Sequence, residues 1–331
     1  MEAEIILGIE SSCDDTAIAI VTREGKVLAS SIAGQEDVHR NFGGVYPEFA
    51  SRAHVQSILP AIQDTFAKSG LKPEDIDAIG VTRGPGLIGS LLIGLTTASA
   101  LGLAWDKPVI GINHLRGHLR SADLEEKRLE YPALMLLVSG GHTLLAYLPN
   151  KTDIKTLGTT RDDSVGEAYD KVARMMDLGF PGGPEIDRLA MAGEAVIKFP
   201  RPLLHEGLEF SFSGLKSSVR RYIDSGEPYE PQNLAASFTA ACMDVLVAKS
   251  RKAIKAHDVK SFAIVGGVSA SKQLRGVMAE LCEELNVKLC VPPLTWSTDN
   301  AAMIALATFD YIDAGVMPEP KGTARLSAED Y

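Results

Sequence analysis

Short apolar runs closed by polar turns alternate along this chain with longer stretches whose apolar residues recur at helical spacing, the pattern of an α/β protein. Residues 5–9, Ile-Ile-Leu-Gly-Ile, read as a strand. A polar turn from Glu10 to Thr16 leads to strands at 17–21 and 26–32, with Gly25 turning between them. A polar, glycine-containing loop is expected over 34–47. Val55, Ile58, Leu59, Ile62 and Phe66 then predict a helix over 49–68, with Pro60 as a candidate kink. A strand at 77–81 turns through Gly84-Pro85-Gly86 into an apolar helix rich in Gly, Ser and Thr. A strand at 108–112 leads into a further helix, which Asn113 can cap.

The pattern then restarts. Strands are predicted at 132–138, 144–148 and 154–157, with a tight turn, Ser139-Gly140-Gly141-His142-Thr143, after the first. Helices follow at 167–178, 184–192, 213–223 and 233–256. A strand at 262–265 runs into Gly266-Gly267-Val268-Ser269, read as opening a helix over 271–285. A strand at 288–291 and a helix at 299–314 close the series. The order strand, polar turn, strand, strand occurs in both halves, a weak internal repeat of topology and not of residue identity. The expectation is two duplicated lobes, 1–131 and 132–331, with a cleft between them and the last helix crossing back toward the first.

Composition is that of an ordinary soluble globular protein: 331 residues, 45% hydrophobic and 23% charged. The opening Met1-Glu2-Ala3-Glu4 is acidic, so no secretory leader is expected. The most apolar segment, 87–104, is interrupted by Gly89, Gly94 and Gly102 and reads as a buried helix, not a membrane span. Cys13, Cys242, Cys282 and Cys290 form no Cys-x-x-Cys pair, which fits a reducing cytoplasm. A net charge of −10 argues against a protein that coats nucleic acid, though not against a local basic patch.

His114 and His118 lie four apart on a predicted helix, hence on one face, where two imidazoles can share a metal ion. Asp299 opens the last helix. As a plain residue it caps that helix; if the helix returns to lobe one, its carboxylate joins the pair, and two His plus one carboxylate suit Fe(II) or Zn(II). A zinc protease would need Glu after the first His, and Leu115 stands there. The turns at 11–16, 139–141 and 266–269 are built of Gly and small hydroxyl residues that let main-chain N–H groups approach a phosphate. Each alone is more often a simple turn. Three at strand ends of a duplicated α/β unit suggest a nucleotide between the lobes. Asp14 and Asp15 in the first turn either break the strand or, facing the cleft, could hold a metal or take a proton. Asp170 is ill-suited to a mid-helix position, and with Gly183 and Asp187 it is expected to line one cleft wall.

These motifs together resemble one family: Gly8-Ile9-Glu10-Ser11-Ser12-Cys13-Asp14-Asp15-Thr16, Gly84-Pro85-Gly86-Leu87, the His114/His118 pair, Val138-Ser139-Gly140-Gly141-His142-Thr143, Gly166-Glu167-Ala168-Tyr169-Asp170-Lys171, Phe180-Pro181-Gly182-Gly183-Pro184, Phe210-Ser211-Phe212-Ser213-Gly214-Leu215-Lys216, Gly266-Gly267-Val268 and Thr298-Asp299-Asn300. In this order, over nearly the whole chain, they look like the bacterial branch of the TsaD family of tRNA threonylcarbamoyltransferases, once called O-sialoglycoprotein endopeptidases. The resemblance implies an actin/Hsp70-like ATPase fold. It also implies transfer of threonylcarbamoyl from threonylcarbamoyl-AMP to N6 of the adenosine 3′ to the anticodon, in tRNAs reading codons that begin with A. Its metal ligands fall on His114, His118 and Asp299, with Fe(II) implied and Zn(II) the alternative. Its substrate contacts fall on Leu137, Val138, Ser139, Gly140, Gly141, Asp170, Gly183 and Asp187, and its important acid on Asp14. Ser271 departs from the family's Asn, and its shorter reach weakens that contact or passes it through water. Implied partners are tRNA, a TsaB-like paralogue and a TsaE-like ATPase, without a membrane; a homodimer is compatible.

No general base is identifiable. Lys216, Arg220, Arg221, Arg116 and Arg120 are candidates for tRNA phosphate, or else ordinary surface charge. Two other classes compete: a metal-dependent small-molecule phosphotransferase or ATPase on the same fold, and a silent scaffold. The first would want a glycine in the first phosphate turn, and none lies between Ser11 and Thr16.

Overall fold

A computed structural model describes residues 3–40, 44–126 and 128–331. The chain divides into two compact units: Met1–Arg128 with Lys151–Asp153 and Pro292–Tyr331, and Leu129–Asn150 with Ile154–Val291. The division therefore differs from one cut at 131/132, because 292–331 returns to the first unit.

The first unit holds a five-stranded sheet of β1 (Ile5–Glu10), β2 (Thr16–Thr22), β3 (Val27–Ala33), β4 (Ala78–Gly84) and β5 (Val109–Asn113), in the order β3-β2-β1-β4-β5. Strands β1 to β3 pair antiparallel; β4 and β5 add in parallel. The second unit repeats this strand for strand with β6 (Ala133–Val138), β7 (Thr143–Leu148), β8 (Lys155–Thr159), β9 (Ser261–Val265) and β10 (Lys288–Cys290): β6 to β8 are antiparallel, and β9 and β10 are parallel additions. The topological repeat expected from the order of apolar runs is present in full.

Within the first unit, α1 (Glu36–Arg40) occupies part of the stretch expected as loop; residues 41–43 of that stretch lie outside the described residues. Helices α2 (Pro47–Ser69) and α3 (Ile88–Trp105) cover one sheet face, where Ile58, Ile62, Leu91 and Leu95 meet Leu7, Ile9, Ile18 and Ile20. Helix α2 continues through Pro60. Among the described residues α3 is the one helix long and apolar enough to cross a membrane, with mean hydropathy 1.6. It is not wholly buried: Leu91, Gly94, Leu95 and Ala98 face inward, while Ile88, Leu92 and Leu103 are exposed.

Helix α4 (His114–Arg120) follows β5 at once, and the last helix, α10 (Ala301–Asp313), lies on the other sheet face. Close approach there needs glycine in β1, since a Cβ on Gly8 would stand 2.2 Å from the Ala301 carbonyl oxygen. Met303, Ile304 and Phe309 then bury against Ile6, Ala19, Val21 and Ile112.

The second unit adds α5 (Val165–Met175), α6 (Gly183–Ala190), α7 (Ser213–Asp224), α8 (Pro231–Ala256) and α9 (Lys272–Glu284) around a core that includes Leu134, Leu136, Phe212, Phe238, Leu246 and Ile264. The turn at 266–269 does not itself open an α-helix. Gly267–Ala270 forms a tight 3-10 turn, and α9 starts only after Ser271, whose hydroxyl accepts from Leu274 N at 3.3 Å.

Candidate metal centre and ligand loops

Two short elements of the first unit bring the chemistry together. Asn113 ends β5 and caps α4, its Oδ1 accepting from Leu115 N at 3.0 Å. One helical turn separates His114 from His118, and their rings meet edge to face with centroids 4.6 Å apart. From the opposite side comes the chain entering α10. Asn300, not Asp299, is the cap, accepting from Met303 N at 2.9 Å. The Asp299 Oδ1 stands 3.0 Å from His118 Nε2 and 3.5 Å from His114 Nε2. All three potential ligand atoms lie within 4.8 Å of one another. Gly117 lets the two helices cross so closely, because a Cβ there would sit 2.7 Å from Ile304 Cδ1.

The donor set fits a divalent ion. His118 is fully buried, yet neither ring nitrogen has a hydrogen-bond partner, and its close approach to Asp299 is not aligned as a hydrogen bond. Buried polar atoms are rarely left so without a ligand to satisfy them. His114 is held differently. Its Nδ1 lies 3.0 Å from Glu10 Oε2, which leaves Nε2 for the ion side. Glu10 in turn accepts from Ser12 N and from the Thr82 hydroxyl, both at 2.5 Å. Burial alone would lower the basicity of His114, but the charges of Glu10 and Asp299 outweigh it and push its pKa up to about 9. For Glu10 the balance also goes to the partner: burial raises its pKa, and the imidazole of His114 brings it below the usual carboxylate range. Nothing in the sequence pattern alone pointed to Glu10 beyond one feature, an acid directly after an apolar strand run.

In the turn between β1 and β2, Asp14 and Asp15 are half-buried and stand outside the cluster of three. Burial, then the charges of Asp14 and Asp299, raise the Asp15 carboxyl to about 7. Burial likewise pushes the Cys13 thiol well up, which favours the neutral thiol.

The remaining candidates lie in the second unit. The side chains of Leu137 and Val138 at the end of β6 are wholly buried, so only their main chain is available to a ligand. The following turn is closed by Ser139 N donating to His142 O at 2.8 Å and His142 N donating to Ser139 Oγ at 3.0 Å. A Cβ added at Gly140, Gly141 or Gly183 would meet nothing within 4 Å, and none of the three has a positive φ. Neither packing nor a positive φ requires glycine at these positions, and the backbone there is open to close approach. Asp170 accepts from Gly182 N at 2.8 Å and so shapes the bend before α6. Asp187 keeps one buried oxygen, Oδ1, without a hydrogen-bond partner; burial raises its pKa, opposed by the Ser271 hydroxyl.

The arginines of α4 are engaged within the protein. Arg116 and Arg120 are buried; Arg116 donates to main-chain carbonyls, and Arg120 pairs with Asp123 and, at 2.8 Å, with Asp310. Lys216 pairs with Asp163 at 2.5 Å, and Arg220 with Asp224 at 2.7 Å. Their carboxylate and carbonyl partners are remote in sequence for all but Asp123 and Asp224, so the charges looked like solvated surface.

The family described as "TsaD: tRNA N6-adenosine threonylcarbamoyltransferase" matches residues 26–306 of this chain. The chain belongs to the TsaD family. Relatives carrying the name tRNA N6-adenosine threonylcarbamoyltransferase include one from Bacillus cereus, 47% identical over 309 residues, covering 92% of this chain and 90% of that protein. Another, from Bacillus subtilis, is 46% identical over 317 residues, covering 94% and 91%. Among solved structures, this TsaD chain is similar to component A of (R)-2-hydroxyglutaryl-CoA dehydratase from Acidaminococcus fermentans, with TM-score 0.58, 15% identity, and 94% and 99% coverage. It is also similar to HypF from T. kodakarensis, with TM-score 0.65, 13% identity, and 96% and 49% coverage. At such identities the likeness concerns the fold alone: α/β, two duplicated lobes of the actin/Hsp70-like ATPase type.

Proposed function

We propose that this protein transfers the threonylcarbamoyl group of threonylcarbamoyl-AMP to the N6 amine of the adenosine 3′ to the anticodon, in tRNAs reading codons that begin with A. The observation that carries the reading is the convergence of His114, His118 and Asp299 within 4.8 Å in a chain 47% identical over 309 residues to proteins named for this transfer.

In the reaction the N6 lone pair attacks the carbamoyl carbonyl carbon and a C–N bond forms. The bond from that carbon to the adenylate oxygen breaks, AMP leaves with the electron pair, and N6 gives up one proton. A divalent ion on His114, His118 and Asp299, Fe(II) by family likeness or Zn(II), would supply Lewis acidity and an anchor for the threonyl carboxylate or hydroxyl. Glu10 holds His114 in the tautomer that leaves Nε2 for the ion. The main chain at Leu137, Val138, Ser139, Gly140, Gly141 and Gly183, with Asp187 and Ser271, contributes the donor contacts. Main-chain N–H groups of the glycine turns suit an oxyanion or a phosphate. Asp170 acts by shaping the bend at Gly182. The family likeness points to Asp14 as the important acid of the first turn. Its neighbour Asp15, with a pKa raised to about 7, is matched to accept the N6 proton near neutrality. A cytoplasmic location and partners of the TsaB and TsaE types go with this reading.

The test is product identity. Purified protein, given threonylcarbamoyl-AMP made with labelled threonine and unmodified tRNA, with and without the two partner types, is expected to place label in tRNA. Label absent from tRNA under every combination, with labelled γ-phosphate of ATP reaching a small molecule instead, would replace the reading with a phosphotransferase.

A further inference from the structure

Helix α4 spans only seven residues yet carries both histidines. A helix of two turns does not persist on its own, so its position must be imposed by neighbours. One neighbour is α10, across Gly117. A second is residues 327–331. Asn113, the cap, donates through both hydrogens of Nδ2, to Ser327 O at 2.7 Å and Asp330 O at 2.9 Å. Arg116 donates from Nε to Asp330 O and from Nη2 to Glu329 O, both at 2.9 Å, and its guanidinium lies 3.8 Å from the centre of the Tyr331 ring. That ring packs edge-on against Tyr311 with centroids 5.2 Å apart, and Arg83 donates to the Tyr331 main-chain oxygen. The stretch is closed on itself, since Asp330 Oδ2 accepts from Ser327 N at 2.7 Å and from its hydroxyl at 3.0 Å. The anchored positions, 113 and 116, bracket His114, and Arg116 lies within one turn of His118.

We propose that residues 327–331 are a positioning element of the metal centre: through Asn113 and Arg116 they set where His114 and His118 stand relative to Asp299. The inference rests on the metal reading above and adds to it the residues that fix the ligand helix. Arginine suits the task because its planar fork meets two adjacent carbonyls while its face stacks on a ring.

The experiment is titration of the full chain with Co²⁺ alone, following visible absorption, with circular dichroism and thermal unfolding as checks on the fold. Asn113→Ser keeps a capping oxygen but cannot reach the two carbonyls. Arg116→Ala removes the fork, Tyr331→Ala the stacking ring, and Tyr331→Phe keeps the ring. The first three are expected to bind Co²⁺ about 10-fold more weakly, with shifted absorption bands, and Tyr331→Phe to bind like the parent. If Arg116→Ala loses the fold, Asn113→Ser and the Tyr331 pair decide. A parent that binds Co²⁺ while the folded variants bind it equally well overturns the proposal alone. A parent that binds none overturns the metal reading and the proposal with it.

Discussion

A single methyl group separates the stability of α4 from its function. In Gly117→Ala the new Cβ would stand 2.7 Å from Ile304 Cδ1 and 3.2 Å from Met303 Cγ. Carbon pairs rest at about 3.5–4.0 Å, so roughly 1 Å has to open at the nearer contact. The atoms met are side-chain ends that can rotate, but Ile304 and Met303 are fully buried, so the gap is shared between their rotamers and α4. Overpacking of this kind costs about 1–3 kcal/mol. Alanine in a helix returns about 1 kcal/mol relative to glycine. The net loss of stability is therefore small, on the order of 0–2 kcal/mol. Metal ligation is far less forgiving, because ligand distances hold to about 0.2 Å. The variant is expected to unfold within a few degrees of the parent when metal-free, yet to bind Zn²⁺ at least about tenfold more weakly in a competition titration. A folded variant with the parent's affinity would refute the claim that the α4–α10 crossing sets the ligand geometry.

Other outcomes follow from the same contacts. Glu10→Gln keeps the volume but loses the charge facing His114, and should weaken Zn²⁺ binding about 10–100-fold while the chain still folds, read by competition titration. Gly140→Ala and Gly183→Ala place a methyl in open space, so thermal stability should be unchanged while binding of a non-hydrolysable threonylcarbamoyl-AMP analogue, measured by calorimetry, is lost; unchanged binding would take both glycines out of the ligand site. The pH dependence has a definite sign. Asp15 has its pKa raised from 3.8 to about 7, and His114 from 6.5 to about 9, so each contributes stability at low pH that is lost as pH rises through the folded value. Metal-free protein should therefore lose thermal stability between about pH 5 and 9, and Asp15→Asn should flatten the lower part of that fall. Because an ion must displace the His114 proton, Zn²⁺ should raise the melting temperature more at pH 8.5 than at pH 6.5; an equal rise at both would contradict the protonated resting state.

The strands were legible because each is a short apolar run stopped by polar residues, and their duplicated order was visible before any side chain was placed. The four-residue spacing of His114 and His118 fixed a common helix face. What the chain's own pattern could not fix was distance. Asp299 read either as a helix cap or as a third ligand; Asn300 holds the capping role, and the Asp299 carboxylate faces both imidazoles. Glu10 read as part of a turn, since its partners Thr82 and His114 are 72 and 104 residues away. Arg116 and Arg120 read as tRNA-phosphate candidates or surface charge for the same reason: among their partners are a carbonyl and a carboxylate far along the chain, at Asp330 and Asp310. The glycines at 140, 141 and 183 stood out in the sequence as a small-residue turn and a Gly-Pro bend open to a ligand, and the space around each, which depends on distant packing, was not legible there.

The most direct measurement is metal content together with the ligand sphere. Protein purified without oxygen and reloaded with Zn²⁺ or Fe²⁺ should hold one ion per chain, and X-ray absorption should show two imidazole nitrogens at about 2.0–2.1 Å. In His114→Ala, His118→Ala and Asp299→Ala the content should collapse in each case. An ion retained at full stoichiometry in any of these variants, or a folded parent that takes up none, would contradict the assignment of the centre to these three residues.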